Sequence, residues 1–182
     1  MKAILFAVWC ALAVLAATGG SSVAQEQKPF KAADYPVAVR KVLSDALLTC
    51  RKEGGGKLEF APDTVQKVDF NGDGRIDYVV DLDKVRCPEM EHIFCGTGGC
   101  VAYFLATMPD GTVRELFADP IHRFEILKQR PMKVRFDIHH GNCENGDPTT
   151  GCQKVVRIGY RPFDPRRGQQ VTPAGRSSAK AE

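Results

Sequence analysis

The chain has none of the signatures of the commonest enzymes. Gly-x-Ser-x-Gly, His-Glu-x-x-His and the Walker phosphate loop are all missing, which leaves α/β-hydrolase, zinc-protease and P-loop chemistry without their usual residues. No apolar run reaches the ~20 residues that span a bilayer as a helix. No Cys-x-x-Cys pair is present, so the usual zinc spacing is missing as well. Nothing repeats with a period of about 20–50 residues, which excludes a multi-bladed propeller. Basic excess is small: 25 Lys+Arg stand against 22 Asp+Glu, a formal charge of +3. Without a cationic cluster to accompany it, that balance points to neither nucleic acid nor an anionic membrane surface.

What is present begins with a leader. Lys2, the apolar run Ile4 to Ala17 and the small residues Ser22-Val23-Ala24 read as a secretory signal peptide over 1–24, cleaved before Gln25. The run is too short for a stable membrane anchor, and Cys10 lies inside it and not at the cleavage point, so lipidation is not expected. Beyond the leader stand Cys50, Cys87, Cys95, Cys100, Cys143 and Cys152. An even set in an oxidising compartment implies three disulfides. Cys95 and Cys100 bracket Gly96-Thr97-Gly98-Gly99, and Cys143 and Cys152 bracket a polar loop, so each pair can close locally and Cys50 is left for Cys87. The four small residues between Cys95 and Cys100 suit a tight disulfide loop; an anion nest of backbone N–H groups is the alternative.

Asp69-Phe70-Asn71-Gly72-Asp73-Gly74-Arg75-Ile76-Asp77 places oxygen-bearing side chains at alternate positions around a Gly that lets the backbone turn. A hard divalent cation needs six to eight oxygens, roughly, and this spacing supplies them from one segment. Asp69, Asn71, Asp73 and Asp77 offer side-chain oxygens and Arg75 its carbonyl, with Ca2+ as the expected cofactor. An Asn-Gly/Asp-Gly hairpin turn without metal is the competing reading. The loop resembles those of the EF-hand/dockerin group and of FG-GAP-like calcium repeats. It departs from the EF-hand, whose bidentate Glu falls here on Val80 and whose following helix is replaced by the strand-like Ile76 to Leu82. The resemblance is therefore of the FG-GAP type and implies a β-loop-β hairpin around a cation.

Asp34 and Pro36 mark a helix start, Val39, Val42, Leu43, Ala46, Leu47 and Cys50 recur at helical spacing, and Gly54-Gly55-Gly56 ends the run. Short β-type runs follow: 58–60, 64–68, 76–82, 101–107, 112–117, 124–127, 133–138 and 154–160. The expected fold is α+β, one N-terminal amphipathic helix on a mainly antiparallel sheet of about six to eight strands, stapled by disulfides. The domain is expected over 34–161, between a polar linker at 25–33 and a disordered tail at 162–182.

The most enzyme-like cluster is His139-His140 near Asp137, Asn142 and Cys143. Using Cys143 as a nucleophile would strand Cys152, and adjacent histidines on a strand point to opposite faces. His92 and His122 read as isolated. The Asp-x-Asn-Gly-Asp-Gly hairpin followed by Cys-Gly-x-Gly-Gly-Cys is similar to a pattern in small secreted or periplasmic proteobacterial proteins, over roughly Cys50 to Cys152, and that likeness carries no assigned activity. These features together predict an exported calcium-binding module acting on an envelope protein or glycan. A small periplasmic hydrolase using His139 or His140 with a nearby carboxylate is the alternative.

Overall fold

The computed structural model describes residues 30–54, 56–143, 151–167 and 169–170. The expected signal peptide and most of the polar linker lie outside the described residues. The helix α1 (Val37–Lys52) forms where the spacing placed it, burying Val39, Val42, Leu43, Ala46 and Cys50 along one face. It stops where Gly54 takes a left-handed φ of 85°.

Twelve strands follow among the described residues, more than the expected six to eight. Seven have four or more residues: β2 (Val65–Val68), β3 (Asp77–Asp81), β6 (Gly99–Thr107), β7 (Val113–Ile121), β8 (Arg123–Leu127), β9 (Lys133–Ile138) and β10 (Cys152–Val156). The other five, β1 (Glu59–Phe60), β4 (Val85–Arg86), β5 (Cys95–Gly96), β11 (Phe163–Asp164) and β12 (Gln169–Gln170), are two-residue pairings. Two residues carry no alternation to read, which is why the sequence undercounts them.

The expected single sheet is in fact several. The two larger ones are a five-stranded sheet ordered β2-β3-β6-β5 with β7 also on β6, and a three-stranded sheet ordered β10-β9-β8, all antiparallel. Only His122 separates β7 from β8, so one run of chain leaves the first sheet and enters the second. Alternation along β6 shows the layering. Val101, Tyr103 and Leu105 belong to the cluster that includes α1, while Ala102, Phe104 and Ala106 belong to the cluster shared with β9 and β10. The five-stranded sheet is thus covered by the helix on one face and by the three-stranded sheet on the other. Phe104 is the hub of the second layer, with the rings of Phe70, Phe117, Phe124, Phe136 and Phe163 at 5.2–6.0 Å.

All three expected disulfides are present, Cys50–Cys87, Cys95–Cys100 and Cys143–Cys152. Both expected domain boundaries move outward. Phe30, assigned to the linker, stacks on Tyr35 and Phe60 with centroids at 5.6 and 4.9 Å. Phe163, assigned to the tail, is buried and stacks on Phe117 at 5.2 Å. A lone aromatic between prolines and arginines shows no periodicity, yet burying one such ring is worth roughly 2 kcal/mol and suffices to hold the segment down. Residues 171–182 lie outside the described residues. No helix among the described residues is long and apolar enough to cross a membrane.

Candidate metal loop between β2 and β3

β2 and β3 pair from Val65↔Val80 to Val68↔Asp77, so residues 69–76 form the connection of an antiparallel hairpin. Two features fix the loop to the core. Phe70 is fully buried against Phe104, and Asp77, also fully buried, holds two backbone amides from different segments. Thr107 N donates to Asp77 Oδ1 at 2.9 Å and Phe70 N to Oδ2 at 3.3 Å. Thr107, at the end of β6, also donates through its hydroxyl to the Ile76 carbonyl at 2.5 Å.

The remaining donors face inward along the turn. Asp69 Oδ1 accepts from Gly72 N (2.6 Å) and Asp73 N (3.1 Å), and its Oδ2 accepts from Gly74 N (2.9 Å). Asn71 Oδ1 accepts from Asp73 N at 3.0 Å, while its Nδ2 is buried with no partner. Asp73 Oδ1 accepts from Arg75 N at 2.7 Å, and its Oδ2 accepts from Tyr160 Oη at 2.7 Å and from Arg75 Nη2 at 2.9 Å. Gly72 and Gly74 sit at φ 79° and 86°, the left-handed turn the spacing called for. At Gly72 space is also short, because an added Cβ would lie 2.9 Å from Met132 Cγ.

Electrostatically the loop is a concentration of negative charge with one internal cation. Burial, followed by the charges of Asp73 and Asp69, pushes the Asp77 carboxyl up to about 6 against the two amide bonds that oppose it. Partial burial raises the Asp73 carboxyl, but the bond from the Tyr160 hydroxyl, the Arg75 amide and the Arg75 charge outweigh it and hold the group below the ordinary carboxylate range. Arg75 has two roles here: its side chain neutralises Asp73 and bonds the Thr107 carbonyl at 3.2 Å.

Five oxygen donors thus lie along one partly buried, amide-lined turn, the hard-donor type that a cation such as Ca2+ would require. They are not clenched: the one set of three His, Cys, Asp or Glu ligand atoms within 4.8 Å of one another, among the described residues, is Asp83, Cys95 and Cys100. Those two sulfurs share a disulfide, so that set holds no thiolate to offer a metal.

The histidines behave differently from expectation. His139 and His140 do not splay to opposite faces, because β9 ends at Ile138 and His140–Asn142 is a 3-10 turn. Their rings lie 4.1 Å apart, and His122, which sequence treats as isolated, brings its ring to 5.7 Å from that of His139. Burial and the neighbouring His140 and His122 lower the His139 pKa. Asp137 Oδ1 is buried without a hydrogen-bond partner among the described residues. Gly141 N donates to His139 Nδ1 at 3.2 Å, and Cys143, held in its disulfide, offers no thiolate nucleophile. No family model, curated protein or solved structure matches this chain.

Proposed function

We propose that the 69–77 loop binds one calcium ion and that the domain is an exported, disulfide-stapled binding module of the cell envelope. The observation that carries this reading is Asp77. A carboxylate with no exposed surface, facing two further carboxylates and bonded only to amides, is a buried charge in want of a cation, and a calcium ion supplies it. Asp69, Asn71, Asp73 and Asp77 would hold the ion through side-chain oxygens and Arg75 through its carbonyl. Three disulfides fit an oxidising compartment and so support export. An envelope protein or glycan is the ligand class this proposal carries, from the exported setting that the disulfides fit.

Thermal melting tests the metal claim. Calcium at a hundred times its dissociation constant should raise stability by about 2.7 kcal/mol over chelator. An unchanged melting temperature would remove the claim.

The pH dependence follows from Asp77. Its carboxyl titrates near 6 in the fold, above its ordinary 3.8, so without calcium it contributes stability that is full below about 4 and is lost as pH rises through 6. Calcium binds the deprotonated form, which reverses the sign. Affinity should therefore be flat above pH 7 and fall by about tenfold per unit below 6. Dissociation constants measured at pH 7.5 and pH 5 check this, and equal values would show that Asp77 is not a ligand.

A further inference from the structure

A cleft of about 660 Å³ opens between the two main sheets. Among the described residues one wall is β2, paired with β3 alone, and the other is β8, paired with β9 alone. Each strand therefore turns a free edge toward solvent beside the same opening. Asp81 N donates to the Thr64 carbonyl at 2.9 Å, and the alternation of an antiparallel ladder then directs the backbone groups of Val65 and Lys67 away from β3. Such an edge accepts an added strand unless something blocks it.

The lining says what kind of strand. Val68, Phe124 and Ile126 form an apolar floor, partly buried against the core. Around it stand Lys67, Lys84, Arg123 and Lys128, against the two acids Asp81 and Asp83. Those acids are engaged: Asp81 accepts from Asp83 N at 3.0 Å, and Asp83 pairs with Lys84 at 2.9 Å. Arg123 and Lys128 have no ion pair among the described residues. Lys84 is spent on Asp83, and the Lys67 ammonium lies 5.0 Å over the Tyr35 ring, so the rim's free cations are Arg123 and Lys128, beside an apolar groove flanked by two strand edges.

We propose that this cleft binds an extended acidic polypeptide by strand addition, with apolar side chains of the guest on the floor and alternate carboxylates on the rim. This rests on the reading of the domain as a binding module and gives it a partner class. The metal loop bears on the same groove. β2 runs straight into Asp69, and Met132, which lines the cleft, lies over Gly72.

The test uses the oxidised protein and two blocked peptides, one of alternating glutamate and valine and one of alternating lysine and valine, followed by amide chemical shifts in calcium. The glutamate peptide should shift amides of β2 and β8, more weakly at high salt, and the lysine peptide should not. Arg123→Glu combined with Lys128→Glu should weaken it by about tenfold while leaving the fold intact, since both side chains lie on the surface. No response to the glutamate peptide, equal response to both peptides, or shifts confined to other strands would overturn the proposal. Calcium is titrated into the same sample separately. Heat from calcium without peptide shifts sinks the strand-addition proposal alone, and peptide shifts without calcium heat sink the metal reading alone.

Discussion

Asp77→Ala should lose calcium binding altogether and unfold more readily with or without the metal. Two effects add. Truncation orphans the buried Phe70 and Thr107 amides, each worth about 1–3 kcal/mol when left unsatisfied, while relief of the buried charge gives part of that back. A net loss of about 2 kcal/mol in chelator is expected, rising to about 5 kcal/mol at a hundredfold excess of calcium over its dissociation constant, because the metal's own increment disappears. Urea denaturation in both buffers measures it. Asp77→Asn separates the two parts, since it removes the charge but keeps one acceptor: calcium binding should still be lost, with a smaller loss in chelator. Retained calcium affinity in both variants would mean that Asp77 is structural only.

The second large effect is expected at Cys50–Cys87. This bridge closes a 37-residue separation that spans the whole β2–β3 hairpin and ties α1 to the chain after β4. In the chain-entropy model it contributes about 4 kcal/mol, against about 2 to 3 for the much shorter loops of Cys95–Cys100 and Cys143–Cys152. Both sulfurs are fully buried under the helix, so the pair is also part of the packing. Cys50→Ala with Cys87→Ala should therefore cost about 4 kcal/mol or more and weaken calcium affinity, because α1 no longer braces the sheet from which the loop springs. Replacing Cys95 and Cys100 instead should leave calcium affinity within about twofold, a difference of only ~0.4 kcal/mol. Equal losses from the two pairs would contradict this coupling.

How much of this was legible in the sequence differs by element, for physical reasons. α1 was readable because five buried positions recur at helical spacing and Gly54 supplies the left-handed stop. The disulfide pairing was readable because two of the pairs bracket short loops. The runs 101–107 and 112–117 meet as the β6–β7 hairpin because Met108-Pro109-Asp110-Gly111 between them is a turn sequence, with Gly111 at φ 81°. The continuation of β7 into β8 was not readable. The sequence suggested an end near Phe117, but Ala118 to Ile121 keep pairing with Tyr103 to Cys100, and only tertiary pairing shows it. The same blindness hid the second sheet, since alternation gives a buried face but not what covers it. Phe163 and Phe30 were misplaced because a single aromatic has no period.

At the site, the spacing named the donors and the turn glycines, but not the supports. Thr107 and Tyr160, which hold Asp77 and Asp73, come from 30 and 87 residues away. Their only sequence signal was membership of strand-like segments. The histidines failed in the opposite direction: a strand rule applied to 139–140 predicted opposite faces, and the chain had already turned.

Isothermal titration of calcium into the chelator-stripped, oxidised protein decides whether the 69–77 loop holds a single calcium site. A saturating heat with one calcium per chain is expected, abolished by Asp73→Ala, which removes a largely buried carboxylate bonded to Arg75 and Tyr160 and leaves the three disulfides in place. No heat from the unaltered protein, or an undiminished isotherm from the variant, would contradict it.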